Sequence, residues 1–437
     1  MERQKRTASV FLQRLKELLP GCRVTEPEAP DDRPEQVAID TRHQTQPAST
    51  AFTAVSPRSR QSGSMPVAGR YVAIWGSYNY GNYGDDLMAI IFARHIKQIG
   101  LTPIVFGLSP ALGAKHGFEV TDDVHDLIRN AAACVIGGGA WLTGETPRPA
   151  DAKRKRSQEF LDLTAAVEKH ACPTYLMSIG SDGPYAKSQE LAMHRQRLLR
   201  SGLCRLVTVR LPGDTAILDA YNIRAHYFPD ILLDAGRLLS IAAQPHPDEV
   251  VRIGLNVSKS SRFAGAIACV LAAVRPGSEI HFIDTMRPTH DKASHASDYE
   301  APRWMTAHIH VHDDPVDTMR FISGLDLVIT HKLHLGVTAL SLGVPYISLG
   351  GPGKCRAFLD TIGSSNSYMT LPSGRRECWR LFNQMLSRQG TKLARSRVDF
   401  EALEIMKRQS HGHLETLTNG LAEFGARQPV PPPEAFP

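Results

Sequence analysis

At 437 residues the chain is too long for one small module and, at roughly 100–200 residues per domain, suits two domains with additional segments. With 42% hydrophobic and 22% charged residues, wholesale disorder is excluded, and a net charge of +6 argues against a dedicated nucleic-acid binder. Half of that excess sits in the first 70 residues, where 11 Lys/Arg face 8 Asp/Glu, so the rest of the chain is nearly neutral.

Taken in chain order, residues 1–70 read as a disordered leader, because Pro, Ser, Thr, Gln and charge leave too little apolar surface to offset ordering entropy. Within it, Ser9 can cap a short helix carrying Phe11, Leu15 and Leu18, ended by Pro20-Gly21. That helix has two readings, a weak peripheral membrane or partner anchor, and a helix that is either transient or packed on the body. No stretch has the length of a membrane span, and no signal-peptide pattern is present. The seven cysteines are scattered without a C-x-x-C pair, which indicates neither a disulfide framework nor a zinc ribbon and suits a reducing cytoplasm.

From Tyr71 short apolar runs alternate with helical patterns. Tyr71–Trp75, Pro103–Phe106, Ala133–Ile136, Thr174–Ile179, Leu206–Val209 and Ala225–Phe228 read as buried strands, with amphipathic stretches such as Leu87–Ile99 and Ser188–Leu199 between them. Pro245 and Pro247 interrupt, and the rhythm restarts with Val251–Val257, Glu279–Asp284, His308–Val311, Leu327–Thr330 and Tyr346–Leu349. This is an α/β fold of two doubly wound, Rossmann-like domains, 71–245 and 246–375, with a hinge near 241–249. Residues 376–427 read as helices and 428–437 as a Pro-rich tail.

Ligands of open α/β sheets gather at the carboxyl ends of strands, so the loops there hold the candidate site. The first, Gly76 to Asp86, combines Gly76, Gly81 and Gly84 with Asn79 and Asn82, and sets Asp85 and Asp86 at a helix start. It is neither G-x-G-x-x-G nor a Walker loop. A ligand role for Asn82, Gly84 and the two acids stands beside the plainer reading of a capped turn. The second, Gly137-Gly138-Gly139-Ala140-Trp141, can offer backbone N–H groups to an oxygen-rich ligand or serve close helix packing.

The third places Arg210 at a strand end before Leu211-Pro212-Gly213-Asp214, where its fork suits a carboxylate or phosphate, although such arginines are often surface ion-pair residues. The fourth, Thr330-His331-Lys332-Leu333-His334, opens a helix with two histidines and a cation, and a His in that setting can act as a general acid. The fifth, Gly350-Gly351-Pro352-Gly353-Lys354, adds backbone donors and a lysine suited to phosphate. A metal reading of His331 and His334 lacks a third ligand. His308, His310 and His312 alternate and read as one exposed strand face, and His290, His295 and Asp298 as a polar loop.

The run Gly81-Asn-Tyr-Gly-Asp-Asp86, the triple glycine, Arg210, Pro229-Asp230, and His331-Lys-Leu-His-Leu-Gly-Val-Thr-Ala-Leu-Ser-Leu-Gly-Val-Pro-Tyr-Ile347 followed by Lys354 resemble the polysaccharide pyruvyl transferase family over about residues 71–370. The resemblance implies a GT-B-like pair of domains facing a cleft, the first on the acceptor side and the second on the donor side. It implies transfer of the pyruvyl skeleton of phosphoenolpyruvate to sugar hydroxyls of an exopolysaccharide or its lipid-linked oligosaccharide precursor, forming a cyclic ketal. Arg210 would hold the donor's carboxylate or phosphate, and His334 would bind the donor and supply a proton, with Asp85 or Asp86 as base. Lys332, Lys354, Gly138, Gly139, Gly351 and Gly353 would complete the substrate contacts. No redox cofactor or metal is called for, and a lipid-linked acceptor would bring a cytoplasmic enzyme to the inner face of the membrane.

Two positions depart from the family's pattern, which usually has Arg where Lys332 stands and commonly Asp where Leu211 stands. They keep two other readings open: a GT-B-type glycosyltransferase using a nucleotide sugar, and a non-catalytic relative that binds a glycan or a partner.

Overall fold

The computed structural model describes residues 71–142, 151–181, 191–244, 250–256, 277–287, 305–370 and 398–425, together with helical residues 267–268 and 271–272. The leader, its Ser9-capped helix, the His290–Asp298 loop, residues 376–397 and the Pro-rich tail lie outside the described residues.

Two parallel sheets carry the fold. In the first, β1 (Tyr71–Trp75), β2 (Thr102–Phe106), β3 (Glu119–Thr121), β4 (Ala133–Gly137), β5 (Thr174–Ile179), β6 (Cys204–Val209) and β7 (His226–Tyr227) take the order β3-β2-β1-β4-β5-β6-β7. In the second, β8 (Arg252–Asn256), β9 (Glu279–Ile283), β10 (Thr306–His310), β11 (Leu327–Thr330), β12 (Tyr346–Leu349) and β13 (Tyr368–Met369) take the order β10-β9-β8-β11-β12-β13. The central strands are largely apolar because a parallel sheet is covered on both faces, and every residue of β1, β4 and β5 is buried. Registers such as Val72 beside Ala133 and Leu327 beside Ile253 keep β1–β4 and β8–β11 as the central pairs.

The helices follow in chain order: α1 (Tyr83–Gln98), α2 (Pro110–His116), α3 (Val124–Arg129), α4 (Asp151–Lys169), α5 (Met193–Arg200), α6 (Pro212–Asp219), α7 (Ala235–Leu238), α8 (Pro315–Ser323), α9 (Leu333–Ser341), α10 (Gly353–Thr361), α11 (Phe400–Ser410) and α12 (Gly412–Leu421). Asn82 caps α1 by accepting from the Gly84 amide at 3.1 Å, and Asp85 and Asp86 in the first turn complement the helix dipole. Most of α1 is buried, including Leu87, Met88, Ile90, Ile91 and Phe92, because it packs against both halves of the molecule. One continuous apolar core includes Val72 and Ile74 of the first sheet, Leu87 and Phe92 of α1, and Leu335, Val337 and Tyr346 of the second half.

Differences from the sequence reading are local. The strand expected at Ala225–Phe228 is only His226–Tyr227, and the short strand Glu119–Thr121 has too little apolar pattern to be recognised from sequence. The three alternating histidines do not form one exposed face: β10 ends at His310, which stacks on Phe321 at 4.1 Å, while His308 stacks on His281 at 4.9 Å. His312 is fully buried, with Nδ1 3.2 Å from the Thr318 hydroxyl. The helical end of the chain returns to the first sheet, where Tyr175 donates to the Gly420 carbonyl at 2.7 Å and Ser410 to the Asp230 carbonyl at 2.9 Å.

Candidate functional site

In each sheet the strand order reverses beside its first strand, between β1 and β4 and between β8 and β11. Loops leaving β1, β4, β9, β11 and β12 meet around one cavity of about 610 Å³. From the first half come Trp75, Asn82, Gly84, Asp85 and Gly137–Trp141; from the second come Thr285, His331, Lys332, His334, Pro352 and Lys354.

The two halves are joined at the cavity floor. Tyr83 donates its amide to the Thr285 carbonyl at 2.9 Å, Arg287 donates its amide to Gly81 at 2.9 Å, and Asn82 bridges Met286 in antiparallel fashion. The Tyr83 hydroxyl reaches the Thr338 hydroxyl at 3.0 Å. Asp86 belongs to this seam. It is fully buried, accepts from the Arg287 guanidinium at 2.9 Å, and does not line the cavity.

Asp85, one residue earlier and about 100° around the helix, points the other way and lines the cavity half-exposed. Desolvation first and Asp86 second push its carboxyl up to about 6, against the pull of Arg210, Lys354 and Arg156. A carboxyl in that range can accept a proton near neutral pH.

His334, in the first turn of α9, crosses to the first half and lies over Gly84. Its Nε2 sits 2.7 Å from the Arg210 Nη1. Burial above all, then Arg210, Lys354 and Lys332, hold the imidazole well below its ordinary value, so the ring is neutral at pH 7. Lys332 precedes α9 and is half-buried; desolvation and then Lys354 lower its ammonium.

Arg210 is only 1% exposed and does not line the cavity. Behind His334 it contacts Asp230 at 3.4 Å, and across Gly180 it approaches Asp214, which accepts from the Ser181 hydroxyl at 2.6 Å. Leu211 caps the start of α6 as a buried core residue, and the carboxylate beside Arg210 comes from Asp214 one turn further on.

Of the glycines, Gly138 and Gly139 line the cavity with φ of 63° and 81°, and the Gly138 amide is already used on the Met177 carbonyl at 2.8 Å. A β-carbon on Gly139 would meet only the Asp85 carboxylate, at 3.6 Å. Gly351 packs on Ser348 and Cys355, and Gly353 begins α10; neither lines the cavity, whereas Lys354 does.

Several lining residues escaped sequence reasoning. Arg156 and Glu159 come from α4, where they look like an ordinary charged face; Asn79 donates to Glu159 at 2.7 Å, and Arg156 stacks on Tyr80 at 4.1 Å. Arg195 at the start of α5 lies 5.7 Å from the Trp141 ring centre, beside Phe160. Among the described residues no group of three or more His, Cys, Asp or Glu is arranged to hold a metal ion, and no helix is long and apolar enough to cross a membrane.

The chain matches the family described as polysaccharide pyruvyl transferase over residues 82–351. None of the curated proteins compared with it matches significantly. Among solved structures it is similar to a protein described as a UDP-N-acetylglucosamine 2-epimerase from Listeria monocytogenes, at 12% identity and a TM-score of 0.53, covering 84% of this chain and 99% of the other. It is also similar to the UDP-GlcNAc 2-epimerase from Neisseria meningitidis bound to UDP-GlcNAc, at 12% identity and a TM-score of 0.52, covering 80% and 99%. These likenesses concern the fold, two Rossmann-like domains in a GT-B-like arrangement. With its match spanning from the Asn82 cap to the glycine loop after β12, the chain belongs to the polysaccharide pyruvyl transferase family.

Proposed function

We propose that this protein transfers the pyruvyl skeleton of phosphoenolpyruvate to two hydroxyls of a sugar in a polysaccharide or its lipid-linked precursor, forming a cyclic ketal and releasing phosphate. The observation that carries the reading is the composition of the cavity. Lys332, His334 and Lys354 enter from the second half, and Asp85, Glu159 and the Trp141 ring from the first. The cationic side suits a small donor bearing phosphate and carboxylate. The other side, where Arg156 and Arg195 stand among the carboxylates and Trp141, suits a sugar, which offers apolar faces and hydroxyls that donate and accept.

In this reaction a proton adds to the donor's methylene carbon, which becomes a methyl group, and the adjacent carbon becomes electrophilic. The oxygen of one sugar hydroxyl bonds to that carbon and loses its proton. The carbon–oxygen bond to phosphate then breaks, with the electron pair leaving on phosphate, and the second hydroxyl closes the ring. The two hydroxyl protons balance the methyl group and the released phosphate. Asp85 is the base for the attacking hydroxyl, since a carboxyl near 6 is largely ionised at pH 7 yet still basic. His334 supplies the proton to carbon once the donor's negative charge offsets Lys332 and Lys354 and lets the ring charge.

The test is to incubate the protein with phosphoenolpyruvate and candidate glycans and follow phosphate release together with the mass of the glycan. A ketal adduct that disappears in His334→Ala and Asp85→Asn is expected. Binding of a nucleotide sugar but not of phosphoenolpyruvate would instead favour the glycosyltransferase reading.

A further inference from the structure

We propose that the outer edge of the first sheet, where Arg200, Arg205 and Arg224 ring an open groove and Met193 stands out on the same helix face as Arg200, docks the protein on an anionic phospholipid surface. The docking face is a property of this chain alone. Only its consequence, that a lipid-linked acceptor is met where it is anchored, rests on the pyruvyl-transfer reading.

Charge and place carry the inference together. Residues 191–213 hold five arginines and no Asp or Glu, in a body whose charges nearly balance. Two of the five belong to the site already described, since Arg195 lines the cavity and Arg210 contacts His334. The others face away from it. On α5, Met193, Arg197 and Arg200 are exposed while Gln196, Leu198 and Leu199 are buried, and spacings of four and three set the exposed residues on one helical face. Arg197 is held by Glu168 of α4 at 2.7 Å. Arg200 instead stands over the Tyr221 ring at 5.6 Å, and that ring is fixed by its hydroxyl, which accepts from the Leu191 amide at 2.7 Å. Arg205 at the start of β6 and Arg224 before β7 are exposed as well, and the three arginines line a groove of about 560 Å³ whose walls include no Asp or Glu. The exposed acid closest to the groove in sequence is Asp219, at the end of α6.

Met193 decides the kind of partner. It is 69% exposed, more than any other large apolar side chain among the described residues. A single exposed methionine is ordinary on a surface, but here it shares a face with cations. A soluble anion would use only the arginines, whereas a bilayer interface takes both, burying the apolar group below the headgroups that the guanidinium forks bind. The arginine stems can lie along the acyl boundary while their heads stay at the phosphates. The placement agrees. The groove lies at the amino ends of β6 and β7, opposite the cavity at the carboxyl ends, and α5, about 12 Å long, connects the two. Ala192, beside Met193, lines the cavity and Arg200 lines the groove, so a surface lying along α5 reaches the edge of the site.

The test sediments the full chain with vesicles of phosphatidylcholine alone, or of equal parts phosphatidylcholine and phosphatidylglycerol. Binding is expected only to the second, and should weaken steeply with salt because the charges are exposed. Each exposed arginine at an anionic membrane strengthens partitioning by roughly fivefold, so Arg200→Ala/Arg205→Ala/Arg224→Ala is expected to weaken binding on the order of a hundredfold, and Met193→Glu roughly tenfold. Thermal melts should be unchanged in both variants; if the triple variant melts lower, graded losses across the three single variants carry the same reading. The basic helix expected after Ser9 supplies the control. Leu15→Asp abolishing vesicle binding while the arginine variant keeps it would overturn the proposal. So would equal binding to neutral vesicles, or binding to soluble alginate with none to vesicles, which would make the groove a site for a polyanionic glycan. Vesicle binding as expected, with no phosphate released from phosphoenolpyruvate by any acceptor, would sink the pyruvyl reading and leave the docking face intact.

Discussion

Gly84 has no side chain because His334 occupies the space one would need: a β-carbon there would fall well inside contact distance of Nδ1, Cβ and Cγ of the histidine. The two residues are 250 positions apart, on the first turns of α1 and α9, and their contact brings the glycine-rich loop of one sheet against the histidine turn of the other.

Gly84→Ala is therefore expected to push the imidazole off Arg210. Repacking of this kind costs about 1–3 kcal/mol of stability, partly offset by the better helix propensity of alanine. Activity should fall more, on the order of a hundredfold, since a displacement of about 1 Å at a reacting group costs that much. Gly213→Ala is the control: it is also in a first helical turn, yet a β-carbon there meets nothing within 4 Å, so stability and turnover should be kept. Thermal melts and phosphate release on the two variants check both halves of the expectation.

Asp85 and Asp86, adjacent in sequence, should respond in opposite directions to removal of charge. Asp85 is pushed up to about 6 from an ordinary 3.8, so the native state holds its proton more tightly than the unfolded chain. Stability from this group is present at low pH and is lost as pH rises through about 4 to 6. Asp85→Asn should thus raise stability above pH 6 by on the order of 1–2 kcal/mol, with the gain vanishing below pH 4, while abolishing ketal formation. Asp86→Asn leaves Arg287 without its buried partner and should cost about 2–4 kcal/mol. Urea unfolding at pH 4 and pH 7.5 distinguishes the pair, and an equal loss in both variants would refute the assignment.

Strand-end glycines, His334, Lys332 and Lys354 were legible from sequence because parallel strands advertise themselves as short apolar runs and their loops are where ligands collect. The opposite facing of Asp85 and Asp86 was not, since adjacent helical residues differ by an angle whose reference, the position of the other sheet, is absent from local spacing. The sequence places Arg210 at a strand end; only the three-dimensional arrangement sets it behind His334 and off the cavity wall. Arg156 and Glu159 were hidden for the reverse reason, because charged residues on a helix normally face solvent. Thr285 and Arg287 follow a strand with no glycine loop, and their role comes wholly from the seam with Gly81–Asp86.

Lys332 stands where the family usually has arginine, and its ammonium is lowered by burial and by Lys354. Part of its charge should then be lost at alkaline pH, below the ordinary lysine value of 10.5, and donor affinity with it. Lys332→Arg supplies a group that stays charged and can grip an oxyanion with two parallel bonds. The expected result is phosphoenolpyruvate binding about three- to tenfold tighter at pH 7 and flat from neutral pH toward the ordinary lysine value, where the unsubstituted protein weakens sooner. Calorimetric titration across that range measures it; identical alkaline profiles would place the loss on another group.

The C-terminal helices predict an acid sensitivity of the site. His413 of α12 is fully buried, with Nδ1 2.7 Å from the Thr208 hydroxyl and Nε2 3.0 Å from the Pro229 carbonyl, and burial pushes it down to about 3. His95 of α1, 2.8 Å from the Thr418 hydroxyl, is likewise pushed down to about 4. Both rings are neutral in the native state and gain a proton in the unfolded chain near 6.5, so their stabilisation is complete above that pH and is lost as pH falls toward 4 and 3. Each should contribute on the order of 2–4 kcal/mol to the difference. Since His413 and Ser410 hold Pro229-Asp230, loosening α11 and α12 in acid removes the carboxylate that anchors Arg210. Hydrogen exchange at pH 5 should therefore accelerate in α12 before the strands of the first sheet, and activity should fall in step and return on neutralisation. His413→Gln, which cannot charge, should flatten the dependence; an unchanged acid transition in that variant would assign the sensitivity to other groups.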